Sequence, residues 1–240
     1  MLQLKIKSKK TLRALLPAGA DILLNLRWLK KIDKSQFGEQ KLLLQYLRKD
    51  LALNWPKLYL EIGAAYPIYL SNSYALSKLK FKGISYDAEK KYSVQWKLFR
   101  RNDKLITKAV VASNDKDQVI FHKYPSSHSL LSTTSNTQNA QWQRAYKVKS
   151  KEKIVKALDI QAVYMDFIKS YDDPPTILML DVEGIDEILI MKLLNNLECH
   201  LFPKLILIEC DESVMRLDNP LNNFYDLYGT AGLSLLLSLK

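Results

Sequence analysis

Two cysteines, Cys199 and Cys210, are too few for a disulfide framework. Both fall in apolar segments and read as plain core residues in a reducing compartment. No apolar run reaches the ~18 residues that span a bilayer, and the opening residues lack the apolar stretch of a signal peptide. These absences predict a cytoplasmic chain, peripheral to a membrane at most. Acid is scarce as well. The 25 Asp and Glu stand against 36 Lys and Arg, a formal net charge of +11 that favours anionic partners such as phosphorylated substrates, nucleic acid or a lipid surface. Apolar material is not lacking: 240 residues at 48% hydrophobic suit one α/β domain with an appendage.

Residues 1–56 are basic and helical in pattern, with periodic segments at 11–16, 20–32 and 40–53 interrupted by Pro17 and Gly38. They read as a helical appendage to an α/β domain over residues 57–240. In the middle segment Ile22, Leu23, Leu26 and Leu29 form one face, with Arg27, Lys30 and Lys31 on the other side. Such a helix lies on anionic lipid, or it packs on the main domain with its lysines solvated.

The domain is organised around residues 58–67. An apolar run carrying Glu61 stops at Gly63, and a helix is expected from just after Pro67. Strand, tight turn and helix in that order are where open α/β sheets bind nucleotides, with the helix N–H groups aimed at the ligand. A dehydrogenase would want three glycines in that turn, and this chain has one. A second strand ends on Asp87, 24 positions after Gly63, where a carboxylate accepts hydrogen bonds from ribose hydroxyls or caps the helix expected over 88–99.

A third strand is expected over 104–113 and a hairpin arm over 119–124. Residues 125–143 are polar and aperiodic, the composition of a mobile lid. His122 and His128 flank this stretch, and either could serve as a base, although a lone histidine on a strand face is more often structural. A strand over 153–159 and a helix over 161–171 lead to the apolar run 176–180, which ends in Asp181, Glu183 and Asp186. Glu183 and Asp186 also suit helix caps. The next strand ends in Glu209. A short helix through residue 228 and one last strand over 232–239 complete the pattern.

Strand ends at Glu61 to Gly63, at Asp87 and at Asp181 to Gly184 resemble, in order and spacing, the FkbM family of S-adenosylmethionine-dependent methyltransferases. The likeness covers about residues 57–228. Glu61, Gly63, Ala64 and Pro67 fit the family's Asp-x-Gly-Ala-Asn-x-Pro motif, with Ala65 in place of the asparagine. Residues 82–87 resemble its second strand, residues 109–113 its third, and Asp181 to Asp186 its Asp-x-Glu-Gly-x-Glu, with Asp for the final Glu. The family has two strands after the one ending in Glu209, a hairpin that closes the sheet, where one is expected here. That suggests a shortened C-terminus.

The resemblance implies a class I methyltransferase fold, a Rossmann-like, doubly wound and mostly parallel sheet. It also implies O-methylation of a sugar, glycan or other hydroxylated natural product. Glu61, Gly63, Ala64 and Ala65 would hold the methionine end of S-adenosyl-L-methionine, Asp87 the ribose, and Val111 and Ser113 the adenine. Asp181 would face the methyl and act with Glu183 in catalysis. Asp181 and Glu209 could share a Mg2+, although metal-free base catalysis is preferred. The alternative is a catalytically impaired binding module using its basic surface for nucleic acid or lipid. A nucleic-acid methyltransferase is supported by charge alone, because neither Asn-Pro-Pro-Tyr nor Lys-Asp-Lys-Glu is present.

Overall fold

A computed structural model of the chain describes residues 25–27, 29, 31, 33–49, 54–112, 117–210 and 221–240. The helix expected over 11–16, most of that over 20–32, and Ser113 lie outside them. The main sheet has seven strands: β1 (Leu58–Ile62), β2 (Lys82–Tyr86), β3 (Lys104–Ile106), β7 (Ile177–Leu180), β8 (Leu205–Glu209), β9 (Tyr225–Ala231) and β10 (Ser234–Leu239). Their order is β3-β2-β1-β7-β8-β10-β9. The first five run parallel, and β10 is antiparallel to both β8 and β9. The chain winds outward from β1 on one side and from β7 on the other, so the order reverses between those two strands, the crevice position for ligands in open α/β sheets.

β1 and β7 are buried along their whole length, which explains their continuous apolar sequence. Leu58, Leu60, Ile62, Leu178 and Leu180 face the helices α5 (Ile160–Tyr171) and α6 (Asp186–Leu194), which contribute Val163, Phe167, Leu189 and Leu193 to that layer. On the opposite face Tyr59, Met179 and Leu207 meet Leu43 and Leu47 of α1 (Glu39–Lys49). The segment expected to belong to an appendage therefore covers one side of the sheet. Leu43 and Leu47, one turn apart, face the core.

A smaller sheet, in the order β4-β6-β5, joins β4 (Ala109–Val111), β5 (Gln118–Lys123) and β6 (Lys151–Asp159). The single strand expected over 104–113 breaks after Ile106, where the Lys108 N–H turns back to the Ile106 carbonyl, 3.1 Å. Its second half leaves the main sheet to pair with β6. β5 is not the hairpin arm expected over 119–124: β6 lies between it and β4, and β5 pairs antiparallel with β6.

Three further expectations change. The helix expected after Pro67 starts only at α2 (Tyr74–Lys78), because Leu70 (φ +52°) interrupts the run. The N–H groups of Ile68 and Tyr69 instead donate to Asn25 Oδ1 at 3.1 and 3.0 Å. Residues 125–143 hold a 3-10 segment (Ser126–Leu131) and most of α4 (Asn136–Tyr146), capped where Ser135 accepts from the Gln138 N–H. No α4 residue is buried, so the helix lacks the apolar stripe that would reveal it in the sequence. Two strands, not one, follow Glu209: the expected helix stops as α7 (Leu221–Phe224) and β9 begins at Tyr225. Cys199 is exposed at a surface turn and not in the core as expected, Cys210 is half-buried, and neither forms a disulfide. Among the described residues, no helix is long and apolar enough to cross a membrane.

Candidate functional site

A cavity of about 260 Å³ opens at the carboxyl ends of β1, β2, β7 and β8. Of the residues expected there, Glu61, Gly63, Ala64, Ala65, Asp87, Asp181, Glu183 and Glu209 line it. Val111 does not. It travels with β4 into a separate cluster beside Ala109 and Ala157, and Lys108, Ala109 and Val110 reach the cavity in its place.

The floor is the turn after β1. The N–H groups of Gly63 and Ala64 both donate to the Tyr86 carbonyl, at 2.9 and 3.1 Å, and the Asp181 N–H donates to the Ile62 carbonyl at 3.0 Å. These bonds draw the turn against the end of β7. Gly63 has φ +89°, and a Cβ there would stand 1.7 Å from the Asp181 carbonyl oxygen, so no side chain fits.

Asp87 braces the same turn. Its Oδ2 accepts from the Ala65 N–H at 2.8 Å and its Oδ1 from the Glu89 N–H at 2.6 Å. Burial pushes its pKa up to about 7, opposed by those two N–H donors. Asp87 caps no helix, since the 3-10 turn that follows (Lys90–Tyr92) has Glu89 at its N-cap and α3 (Ser93–Phe99) has Tyr92, neither with a side-chain cap bond; it braces the turns on either side of it and lines the cavity. Glu61 is tied down from behind: Ser73 and Ser85 donate to its Oε2 at 2.8 and 2.7 Å. Arg100 in turn donates to Ser73 Oγ and to Tyr59 Oη, each at 2.7 Å. Burial raises the Glu61 pKa and the Arg100 charge opposes it.

Across the floor stand Asp181, Glu183 and Glu209, each offering an oxygen within 4.8 Å of the others. Burial, then the neighbouring Glu209 and Glu183, hold Asp181 well above the usual carboxylate range. Burial, then Glu209 and Asp186, push Glu183 up to about 8. The Trp142 indole N–H lies close enough to pull that value down, although it closes no hydrogen bond. Asp186 does not cap the helix as expected: Ile185 holds the N-cap position without a side-chain bond, and Asp186, the first helical residue, braces the loop before it by accepting from the N–H groups of Val182 (2.8 Å) and Gly184 (3.3 Å). Its pKa rises to about 7, chiefly through burial.

Several wall residues were not anticipated. Trp142 and Tyr146, one turn apart on α4, line the cavity with ring centroids 5.6 Å apart. Thr133 Oγ1 donates to the Glu183 carbonyl at 2.6 Å and fastens this wall to the acid cluster. That aromatic spacing at i, i+4 was the available signal. Phe37 and Leu233 form another edge, and Phe37 packs where a Cβ on Gly232 would lie. His122 is buried away from the cavity, its Nε2 2.7 Å from Asn136 Oδ1, and His128 sits beside Tyr146 with ring centroids 6.1 Å apart. Neither lines the cavity.

Chemically, the site offers carboxyl groups on several sides, a tight backbone floor and an aromatic wall, with Lys108 as its lining cation. It suits a neutral or cationic ligand rich in hydroxyl or amino groups. Comparison with family models and with curated proteins found no match.

Proposed function

We propose that the chain is an S-adenosylmethionine-dependent O-methyltransferase acting on a hydroxyl of a sugar, glycan or related natural product. The observation that carries this reading is the meeting of Gly63, Asp87 and Asp181 around one cavity at the point where the strand order reverses. The β9–β10 pair adds support, because it supplies the closing hairpin that the FkbM resemblance implies. It also removes one of two grounds for the impaired binding module, the other being Ala65.

The residues present fit the cofactor. The turn at Gly63 lines the cavity, Asp87 keeps lone pairs beyond its two accepted bonds for a diol, and carboxylates suit a sulfonium and an ammonium. Glu61, Gly63, Ala64 and Ala65 would hold the methionine end, Asp87 the ribose, and Lys108 to Val110 the adenine. The cofactor, when bound, supplies an activated methyl group. Asp181 orients the acceptor hydroxyl and takes its proton. Glu183 and Glu209 keep that base strong by repulsion, and Trp142 excludes water beside it. A second reading rests on the oxygens of Asp181, Glu183 and Glu209, whose spacing suits one Mg2+ that would lower the hydroxyl pKa instead.

Calorimetric titration with S-adenosylmethionine and, separately, NAD tests the proposal. Binding of the former alone is expected. Binding of NAD alone, or of neither, overturns it.

A further inference from the structure

We propose that the outward face of α3 (Ser93–Phe99), with the segment docked beside it, is a docking surface for an anionic lipid bilayer. Val94, Lys97 and Leu98 share one face of α3, Lys90 and Arg101 lie just before and just after the helix, and all five are exposed. Val94 and Leu98, one turn apart, are 58% and 48% exposed. The other side of the same turns, Tyr92, Gln95, Trp96 and Arg100, is buried. The fold therefore spends one face of this helix on the core and leaves the other, apolar and basic, facing outward.

A second exposed segment is tied to the same helix. Asn25 Nδ2 donates to Gln95 Oε1 at 3.0 Å, and Asn25 Oδ1 accepts the two N–H groups at Ile68 and Tyr69. The residues just after it, Leu26, Arg27, Leu29 and Lys31, are exposed, with the two leucines at 44% and 42%. Acid that might neutralise this surface is spent elsewhere. Asp103 is held by Arg100 at 2.5 Å and Glu89 by Lys123 at 2.9 Å, both carboxylates buried. Glu61, Asp87, Asp181 and Asp186 are turned into the cavity or its floor, so the surface is more cationic than the net charge of +11 states.

Among occupants, a second copy would set cations against cations. Nucleic acid would want exposed aromatic rings on which bases stack, and among the described residues of this surface the exposed apolar side chains, Leu26, Leu29, Val94 and Leu98, are all aliphatic. Short aliphatic side chains ringed by Lys and Arg suit the headgroup boundary of an anionic bilayer. This inference stands independently of methyl transfer.

The test is co-sedimentation of the full chain with phosphatidylcholine vesicles, with and without phosphatidylserine. The variants are Lys97→Glu with Arg101→Glu, and Val94→Ser with Leu98→Ser, each confirmed as folded by circular dichroism. Binding to the anionic vesicles alone is expected. The charge pair should lower it by ~10-fold or more, and the apolar pair should lower it by ~3-fold or more. The proposal is overturned if the unmodified chain ignores anionic vesicles or if both variants bind them unchanged. It is equally overturned if only the charge pair matters and a single-stranded oligonucleotide displaces the vesicles.

Discussion

The Asp181 carbonyl occupies the space that any side chain on Gly63 would need, at 1.7 Å from the Cβ position. The turn after β1 and the acid cluster after β7 are thus one unit. Gly63→Ala combines a clash with backbone and a left-handed φ, so it should destabilise the fold by about 3 kcal/mol. Urea unfolding measures this, and a loss within ~0.5 kcal/mol of the parent would contradict the packing.

Ala65 is the counterpart, a position where the side chain present is the strained one. At φ +42°, with its N–H on Asp87 and its carbonyl accepting from Trp96 Nε1 at 2.9 Å, it cannot relax. Ala65→Gly should stabilise by ~0.5–1 kcal/mol, and Ala65→Asn, tolerant of that region, should do no harm. Thermal unfolding of both variants checks this.

Asp87→Ala should weaken S-adenosylmethionine binding about tenfold or more through lost charge-assisted hydrogen bonds. Because Asp87 also holds the N–H groups of Ala65 and Glu89, stability should fall with it. Asp87→Asn keeps an acceptor oxygen and should lose less of both. Calorimetry with unchanged affinity in Asp87→Ala would remove this residue from the ribose site.

Asp181→Asn preserves shape and deletes the base. Labelled-methyl transfer to a panel of hydroxylated acceptors should drop by ~10²–10⁴ with cofactor affinity nearly constant. A folded mutant working at the parent rate would end the assignment. Loss of the parent's activity with a chelator, restored by magnesium, would favour the cation reading over the free base.

The buried carboxyls set a pH signature for stability. Asp87 and Glu183 have folded pKa values raised to about 7 and about 8, so the native state binds protons more tightly than the unfolded chain does. Their contribution is complete below the unfolded value of ~4 and disappears as pH climbs through the folded values. The melting temperature should therefore decline between about pH 5 and about pH 8, less steeply in Glu183→Gln. Calorimetric scans across that window check the sign.

The buried parallel strands were legible because full burial leaves continuous apolar runs, and each acidic end marks where a run meets the cavity. The fates of Val111 and of residues 125–143 were not. Nothing local announces that the chain changes sheet after Ile106. α4 is held by a cap and by wall contacts, so it carries no apolar stripe to read. α1 was legible as a helix but not as part of the core, since periodicity shows a face and not what covers it. Trp142 and Tyr146 needed the third dimension to be seen beside Glu183.

The contact of Phe37 with Gly232, together with the bond from Ser234 Oγ to Glu39 Oε1 at 3.4 Å across 195 positions, also sets an order of assembly. One wall of the cavity needs both the stretch before α1 and the hairpin that follows Glu209. Closing so long a loop is slow compared with pairing neighbouring strands. On a ribosome, Gly63 and Asp181 can meet before β10 has left the exit tunnel, but the pocket has no finished rim until it does. Newly made chains should thus pass through a stage that is folded at its centre and open at its mouth, and ligand binding would begin only with the last two strands.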